Sequence, residues 1–181
     1  MPLAYIPKSL LNTSQSQPIT SIHICAEPPN AVFAPKDNAD PATEKLTNHW
    51  VVYLITSPSQ SIRLDPSPSG PGNTLDLIIS AKDRADINAV KTVILSTAPN
   101  LNVGNIIDQI TSANYGTYTF GDTGQGCRFW ISSLLDLLCK AGYTIDSSEA
   151  TAAREALGVV WNELGEPVSA SQQTGTAEGA F

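Results

Sequence analysis

The sequence contains few of the residues that form metal sites and disulfide bonds. Its 181 residues include three cysteines, two histidines and one methionine. The cysteines, Cys25, Cys127 and Cys139, show no paired spacing, which argues against a disulfide framework and predicts a reducing, cytoplasmic location. Because only two histidines accompany them, a Cys-rich or His-rich zinc site is not expected. We therefore predict neither a metal nor a cofactor.

Positive charge and long apolar runs are also scarce. Ten Lys and Arg residues stand against 17 Asp and Glu residues, which gives a net charge of −7. Nucleic-acid binding normally requires a basic patch or stripe, so no nucleic-acid partner is expected. The apolar runs are much shorter than the ~20 residues of a membrane span. Residues 1–17 also lack the basic and apolar regions of a secretory signal. The oligomeric state stays open.

The length and the local composition predict one folded domain. A chain of this size can bury roughly two-thirds of its unfolded surface in a single core. We expect an extended N-terminal segment over 1–18, a single domain over 19–164 and a tail over 165–181. The tail is low in apolar residues, a composition typical of disorder.

The order of periodic segments predicts an α+β fold, a small antiparallel sheet packed with about three helices. Alternating or β-branched runs predict strands over 19–25, 49–56, 61–65 and 75–79, the last three forming a meander. Apolar spacing at i, i+3, i+4 and i+7 predicts helices over 103–114, 127–140 and 146–164. Residues 26–47 form a proline-rich predicted loop. Segment 81–98 is ambiguous between a helical turn and a strand.

The most informative motif surrounds Cys127, which opens an apolar helical pattern. Unsatisfied backbone N–H groups and the positive end of the helix dipole favour a thiolate in the first helical turn. The same N–H groups can hold an oxyanion, and Gly124 and Gly126 allow a substrate to approach the backbone closely. Cys127 is therefore the candidate nucleophile. His49, at the start of a strong strand, is the candidate base.

Together these two motifs resemble those of the permuted papain-like proteins, the lecithin-retinol-acyltransferase-like group and, more distantly, the NlpC/P60 enzymes. Those proteins place a His-Trp pair before an apolar strand and a cysteine later, at the start of a helix. Here His49 and Trp50 lead into a strand with Tyr53, and Gly126 and Cys127 follow later in the chain. The motifs look closest to those of a group of small fungal proteins. The resemblance covers roughly 49–142 and implies a papain-like architecture with a Cys127–His49 pair.

Two positions depart from that pattern. Arg63 occupies the place of the third triad member, a second histidine in the acyltransferases, and Gly126 replaces the asparagine before the cysteine. An arginine cannot accept a hydrogen bond from the base. If Arg63 lies near His49 on the hairpin, its charge should depress the pKa of the imidazole.

Three functions are compatible with this pattern. The favoured one is a thiol hydrolase or acyltransferase in which His49 activates Cys127 against an ester, thioester or amide carbonyl. The second is a non-catalytic binding or assembly module, in which His49, Arg63 and Arg128 hold an anionic ligand. The third is a tailoring enzyme of small-molecule biosynthesis that promotes cyclisation without a covalent thiol intermediate. Trp50 and Tyr53 are further candidates for contact with a small-molecule or acyl substrate.

Overall fold

A six-stranded sheet forms the centre of the fold. The computed structural model describes residues 4–5, 13–32, 43–85 and 87–181. The strands are β1 (Ala4–Tyr5), β2 (Ser21–Ala31), β3 (Leu46–Ser57), β4 (Gln60–Ser67), β5 (Asp76–Lys82) and β6 (Lys91–Ser96). Their order in the sheet is β1-β5-β4-β3-β2-β6. The short β1 runs parallel to β5, and every other pairing is antiparallel.

Within the described ranges, three helices of ten or more residues accompany the sheet: α1 (Val103–Ser112), α2 (Cys127–Lys140) and α3 (Ser147–Leu157). Each presents an apolar stripe to the core, as the 3.6-residue period of the sequence requires. The predicted α+β class is therefore confirmed. No helix among the described residues is long and apolar enough to cross a membrane.

The two faces of the sheet differ, and this difference positions the site. On β3, Trp50, Val52 and Leu54 belong to the main core that the helices share. Val51 and Tyr53 point to the other face, where they form a smaller cluster with Cys25. On β4, Arg63 pairs with Tyr53 and so lies on this second face.

Three elements differ from their predicted extent. Strand β2 continues through the two prolines that follow residue 27. Proline has no N–H to donate to the sheet, and the register of the pairing shifts between Ala26 and Pro29, which accommodates this interruption. The ambiguous segment contains strand β6. Helix α3 ends at Leu157 instead of 164, because the backbone of Trp161 is bound by the side chain of Asn48.

The domain ends also differ from the expectation. Residues 1–3 and 6–12 of the predicted N-terminal segment lie outside the described residues. Residues 165–181, predicted to be disordered, are instead attached to the domain by backbone hydrogen bonds. Leu46 N donates to Gln172 O at 2.9 Å, and Thr119 and Ala180 exchange two bonds at 2.7 and 3.0 Å. Amino-acid composition does not predict this attachment, because the hydrogen bonds that form it join main-chain groups.

Candidate functional site

The turn before α2 places Cys127 at the first position of the helix. Gly126 has a φ of 149°, and an added Cβ would lie 2.5 Å from the Tyr118 hydroxyl oxygen, so only glycine fits there. The Tyr118 hydroxyl donates to Gly126 O at 3.2 Å, and Trp130 N donates to the same carbonyl at 2.9 Å. This arrangement explains why the asparagine of the resembling proteins is absent at this position.

The start of β3 lies against the cysteine. The Cys127 Sγ is 3.8 Å from the carbonyl oxygen of Asn48. Asn48 is fully buried, and its side-chain amide bonds the carbonyls of Glu27 and Trp161 and the N–H of Trp161. Because these bonds fix Asn48, the neighbouring His49 has a defined position beside the thiol.

His49 lies between Cys127 and a carboxylate. Its Nε2 donates to Asp65 Oδ1 at 2.7 Å, and its ring lines the same cavity as Cys127. The histidine side chain is 30% exposed and that of Asp65 13%. The structure thus brings together the two residues predicted as a pair, and adds a third residue that orients the imidazole.

Arg63 fixes the carboxylate from the other side. Its Nη1 donates to Asp65 Oδ2 at 2.5 Å, and its Nη2 donates to Glu27 Oε1 at 2.7 Å. Each oxygen of Asp65 therefore has one cationic or ionisable partner, which restricts rotation of the carboxylate. Glu27, Arg63, Asp65 and His49 form a continuous chain of hydrogen bonds, and Cys127 lines the same cavity as His49.

The charges of this chain determine the protonation of His49. Burial disfavours the imidazolium, but the hydrogen-bonded carboxylate of Asp65 and the neighbouring Cys127 outweigh it and raise the pKa of His49 to about 10. Burial likewise opposes ionisation of Asp65, yet His49 and Arg63 lower the pKa of its carboxyl group. At neutral pH the site contains an imidazolium beside a carboxylate.

Two expectations about Arg63 are therefore wrong. The acceptor for His49 exists, but it is Asp65, two residues beyond Arg63 on the same face of β4. The expected depression of the His49 pKa is also contradicted. Arg63 is bonded to two carboxylates, and the carboxylate of Asp65, which contacts the ring, has the larger electrostatic effect on the imidazole. The guanidinium serves to position Asp65.

The other predicted site residues have different surroundings. Arg128 is 3% exposed, and its guanidinium donates to the carbonyls of Leu157, Thr174 and Gly175. Its charge is thus directed at the backbone, contrary to the expected role with an anionic ligand.

Neither aromatic candidate lines the cavity that contains Cys127. Trp50 is fully buried in the main core. Tyr53 borders an open cleft with Glu27 and Arg63 on the second face of the sheet. The second histidine, His23, bonds Ser21 at 3.1 Å, and burial lowers its pKa.

A cavity of about 120 Å³ opens beside Cys127 and His49. Gly124, Gln125 and Gly126 line one side of it, in front of the first turn of α2. No side chain of the described residues caps this helix, so its first N–H groups can donate hydrogen bonds to a ligand oxygen. Across the described ranges, no cluster of three His, Cys, Asp or Glu residues could hold a metal ion.

Sequence reasoning missed Asp65, Glu27 and Gln125. Asp65 had a usable signal, since alternation along β4 places it on the face of Arg63. Glu27 had none, because its approach to Arg63 depends on the register shift in β2. Gln125 lies two residues before Cys127, so its proximity to the cysteine was evident from the sequence. Its position in the lining of the cavity was not.

The comparisons with known proteins give one family. Residues 22–181 match the family model described as a domain of unknown function, DUF7770. Neither the curated proteins nor the solved structures contain a match to the chain. The chemistry of the site is therefore inferred from its own residues.

Proposed function

We propose that this chain, which belongs to the DUF7770 family, is a cysteine-dependent hydrolase or acyltransferase acting on an ester, thioester or amide. The observation that carries the proposal is the alignment of three side chains beside one cavity. Cys127 and His49 line the same cavity, and His49 donates to Asp65 at 2.7 Å. A nucleophile, a base and a residue that orients the base are the required parts of such a site.

The high pKa of His49 favours an ion-pair form of this chemistry. An imidazole with a pKa of about 10 is protonated at neutral pH, and its positive charge stabilises a thiolate at Cys127. The ion pair forms when the thiol proton is transferred to the imidazole. Asp65 stabilises the imidazolium and holds the ring in place, and Arg63 and Glu27 hold Asp65.

The reaction follows from these positions. The Cys127 thiolate attacks the substrate carbonyl carbon, a C–S bond forms, and the carbonyl π electrons move to oxygen. The uncapped N–H of Cys127 is a donor for that oxyanion, and Gln125 lines the same cavity. His49 gives its proton to the leaving alcohol, thiol or amine as the tetrahedral intermediate collapses to a thioester.

Deacylation reverses the role of His49. The imidazole takes a proton from water or an acceptor amine, which attacks the thioester carbonyl. The C–S bond then breaks, and the thiolate and imidazolium form again. Water gives hydrolysis and an amine gives acyl transfer, so the acceptor that reaches the cavity decides the outcome.

Alkylation of the three cysteines tests the proposal. Iodoacetamide is applied at graded pH between 5 and 9, and each site is quantified by peptide mass spectrometry. We expect Cys127 to react at pH 6, where an ordinary thiol with a pKa near 8.5 is mostly protonated. Cys139 is a suitable comparator, because it is also half-buried and free. Labelling of Cys127 no faster than that of Cys139 would contradict the ion pair.

Matched histidine variants identify the source of the reactivity. His49→Gln should remove the low-pH labelling of Cys127, whereas His23→Gln should leave it unchanged, because His23 bonds Ser21. Incubation with p-nitrophenyl acetate should then give an acetyl adduct on Cys127. An activity that survives Cys127→Ala would instead favour chemistry without a covalent thiol intermediate, as in a cyclase-like tailoring enzyme.

The location of the protein is part of the proposal. No disulfide bond links the three cysteines, which is compatible with a reducing compartment such as the cytoplasm. A reactive thiolate is also more susceptible to oxidation than an ordinary thiol. Co-fractionation of the tagged protein with cytoplasmic markers tests this placement, and its recovery from an oxidising compartment would contradict it.

A further inference from the structure

The cavity beside Cys127 is small. Its volume is about 120 Å³, slightly less than the roughly 150 Å³ of a protein cavity that accepts benzene. A group of about five non-hydrogen atoms fills such a space. Any larger part of a substrate must remain outside the cavity, on the solvent side of the thiol.

The lining of the cavity combines apolar and polar surface and offers little charge to a ligand. Asn30, Thr47 and Gln125 contribute amide and hydroxyl groups. The two lining residues that carry charge are His49 and Arg128, and both are engaged, His49 with Asp65 and Arg128 with three backbone carbonyls. No Asp or Glu is among the described residues that line it. The cavity therefore favours an uncharged group.

Ala177, in the C-terminal segment, lines one side of the cavity. The chain is held in place by hydrogen bonds both before and after this residue. Before it, the Arg128 guanidinium holds the carbonyls of Thr174 and Gly175 at 2.9 and 2.7 Å. After it, Ala180 exchanges two backbone bonds with Thr119. Because both flanks are fixed, the methyl group of Ala177 sets a limit on the cavity.

We propose that this cavity is an acyl pocket that selects short, uncharged acyl groups of up to about five non-hydrogen atoms, with Ala177 as the residue that limits their length. The inference rests on the proposed function, since it assigns the acyl group of the thioester formed at Cys127. A carbonyl bound at the start of α2 would direct its chain toward Ala177, and its leaving group would face His49 and solvent.

A series of p-nitrophenyl esters tests the length limit. Acetyl and butyryl groups contain three and five non-hydrogen atoms, whereas hexanoyl and octanoyl groups contain seven and nine. The measured quantity is the rate of Cys127 acylation, from the p-nitrophenol burst and the mass of the adduct. We expect a fall of at least 10-fold between butyrate and hexanoate, and a further fall for the anionic hemisuccinyl ester relative to hexanoate, whose acyl group has the same number of non-hydrogen atoms.

Variants at Ala177 move the limit in opposite directions. Ala177→Gly should raise the hexanoyl rate relative to the acetyl rate by several-fold, and Ala177→Val should lower the butyryl rate relative to the acetyl rate. Ala180→Val is the matched control, because Ala180 is exposed on the same segment and does not line the cavity. It should retain the wild-type selectivity. If Ala177→Val does not fold, Ala177→Gly still tests the limit.

The outcomes separate the two proposals. Equal acylation by all chain lengths, or the same change in selectivity for the Ala180 and Ala177 variants, overturns the acyl pocket and leaves the cysteine chemistry standing. Acylation confined to Cys127 with the expected cut-off supports both. If none of the esters acylates Cys127 and iodoacetamide does not label it preferentially, both proposals fall.

Discussion

Replacing Asp65 by asparagine should lower the pKa of His49 and reduce the reactivity of Cys127. Asparagine keeps the size of the side chain and removes its charge. The rise of the His49 pKa from 6.5 to about 10 spans about 3.5 pH units. At ~1.4 kcal/mol per unit it corresponds to about 5 kcal/mol in favour of the imidazolium, before screening by the water that reaches this 30% exposed side chain.

Part of that preference belongs to Asp65. A hydrogen bond to a charged group contributes ~1.5–3 kcal/mol, which is equivalent to about one to two pH units. We therefore expect the pKa of His49 to fall by at least about one unit in Asp65→Asn. Asp108→Asn is the control, because it removes one negative charge from an exposed position on α1. It should leave the titration of His49 unchanged.

Proton NMR of the imidazole rings provides the assay, since the chain contains only two histidines. His23 should titrate below 6.5, because burial lowers its pKa, and His49 should titrate far above it. His23→Gln assigns the two signals. Titration of both wild-type histidines between pH 6 and 7 would refute the reasoning, and so would a His49 signal that Asp65→Asn leaves in place.

The same variant has a pH-dependent effect on stability. Because the pKa of His49 is raised on folding, its protonation stabilises the folded state fully below about pH 6.5, and this contribution is lost as the pH rises toward 10. Asp65 is ionised throughout this range. The loss of unfolding free energy in Asp65→Asn should therefore be larger at pH 6 than at pH 10, as measured by urea denaturation.

Three further predictions concern the residues that position the site. Arg63→Met should reduce the alkylation rate of Cys127 at pH 6 several-fold. Arg63→Lys should reduce it less, because a lysine ammonium can still bind one carboxylate although it lacks the forked guanidinium. Equal rates for the Met variant and the wild type would show that Arg63 does not contribute to the site. Gly126→Asn should lower the unfolding free energy by roughly 1–3 kcal/mol, because the left-handed backbone is strained for other residues. Gly175→Ala, which adds a Cβ in open space, should cost much less in the same urea titration. Arg128→Met should increase hydrogen exchange over 172–178, whereas Arg154→Met, which breaks an exposed ion pair, should leave that exchange unchanged.

The sequence predicted most of the elements that carry the site, because their periods are strong. Helix α2 begins at Cys127 as expected, where a glycine precedes an apolar stripe. The β3–β4 hairpin and its continuation into β5 also form the predicted meander. The tail over 165–181 was not predictable from composition, because its attachment depends on the guanidinium of Arg128 and on main-chain bonds between distant segments.

The site itself was predicted only in part, and the reason is register. Resemblance placed Arg63 at the position of the third triad member, yet Asp65 lies about 7 Å further along β4 on the same face, at ~3.4 Å per residue. Which of the two reaches His49 depends on the pairing of β3 with β4. That pairing includes a register shift between Ile55 and Ser57, which the alternating pattern of the two strands does not reveal.

The presence of an arginine beside a histidine that must become positive has an electrostatic explanation. Glu27 and Asp65 together would give this part of the sheet two negative charges, and Arg63 neutralises one of them through two short bonds. Transfer of a proton from Cys127 to His49 leaves the net charge of the site residues unchanged, because it creates one positive and one negative group. Arg63 therefore lowers the cost of placing two carboxylates together without removing the carboxylate that faces the ring. An arginine in the triad position is compatible with an activated thiol when an aspartate follows two residues later on the same strand face.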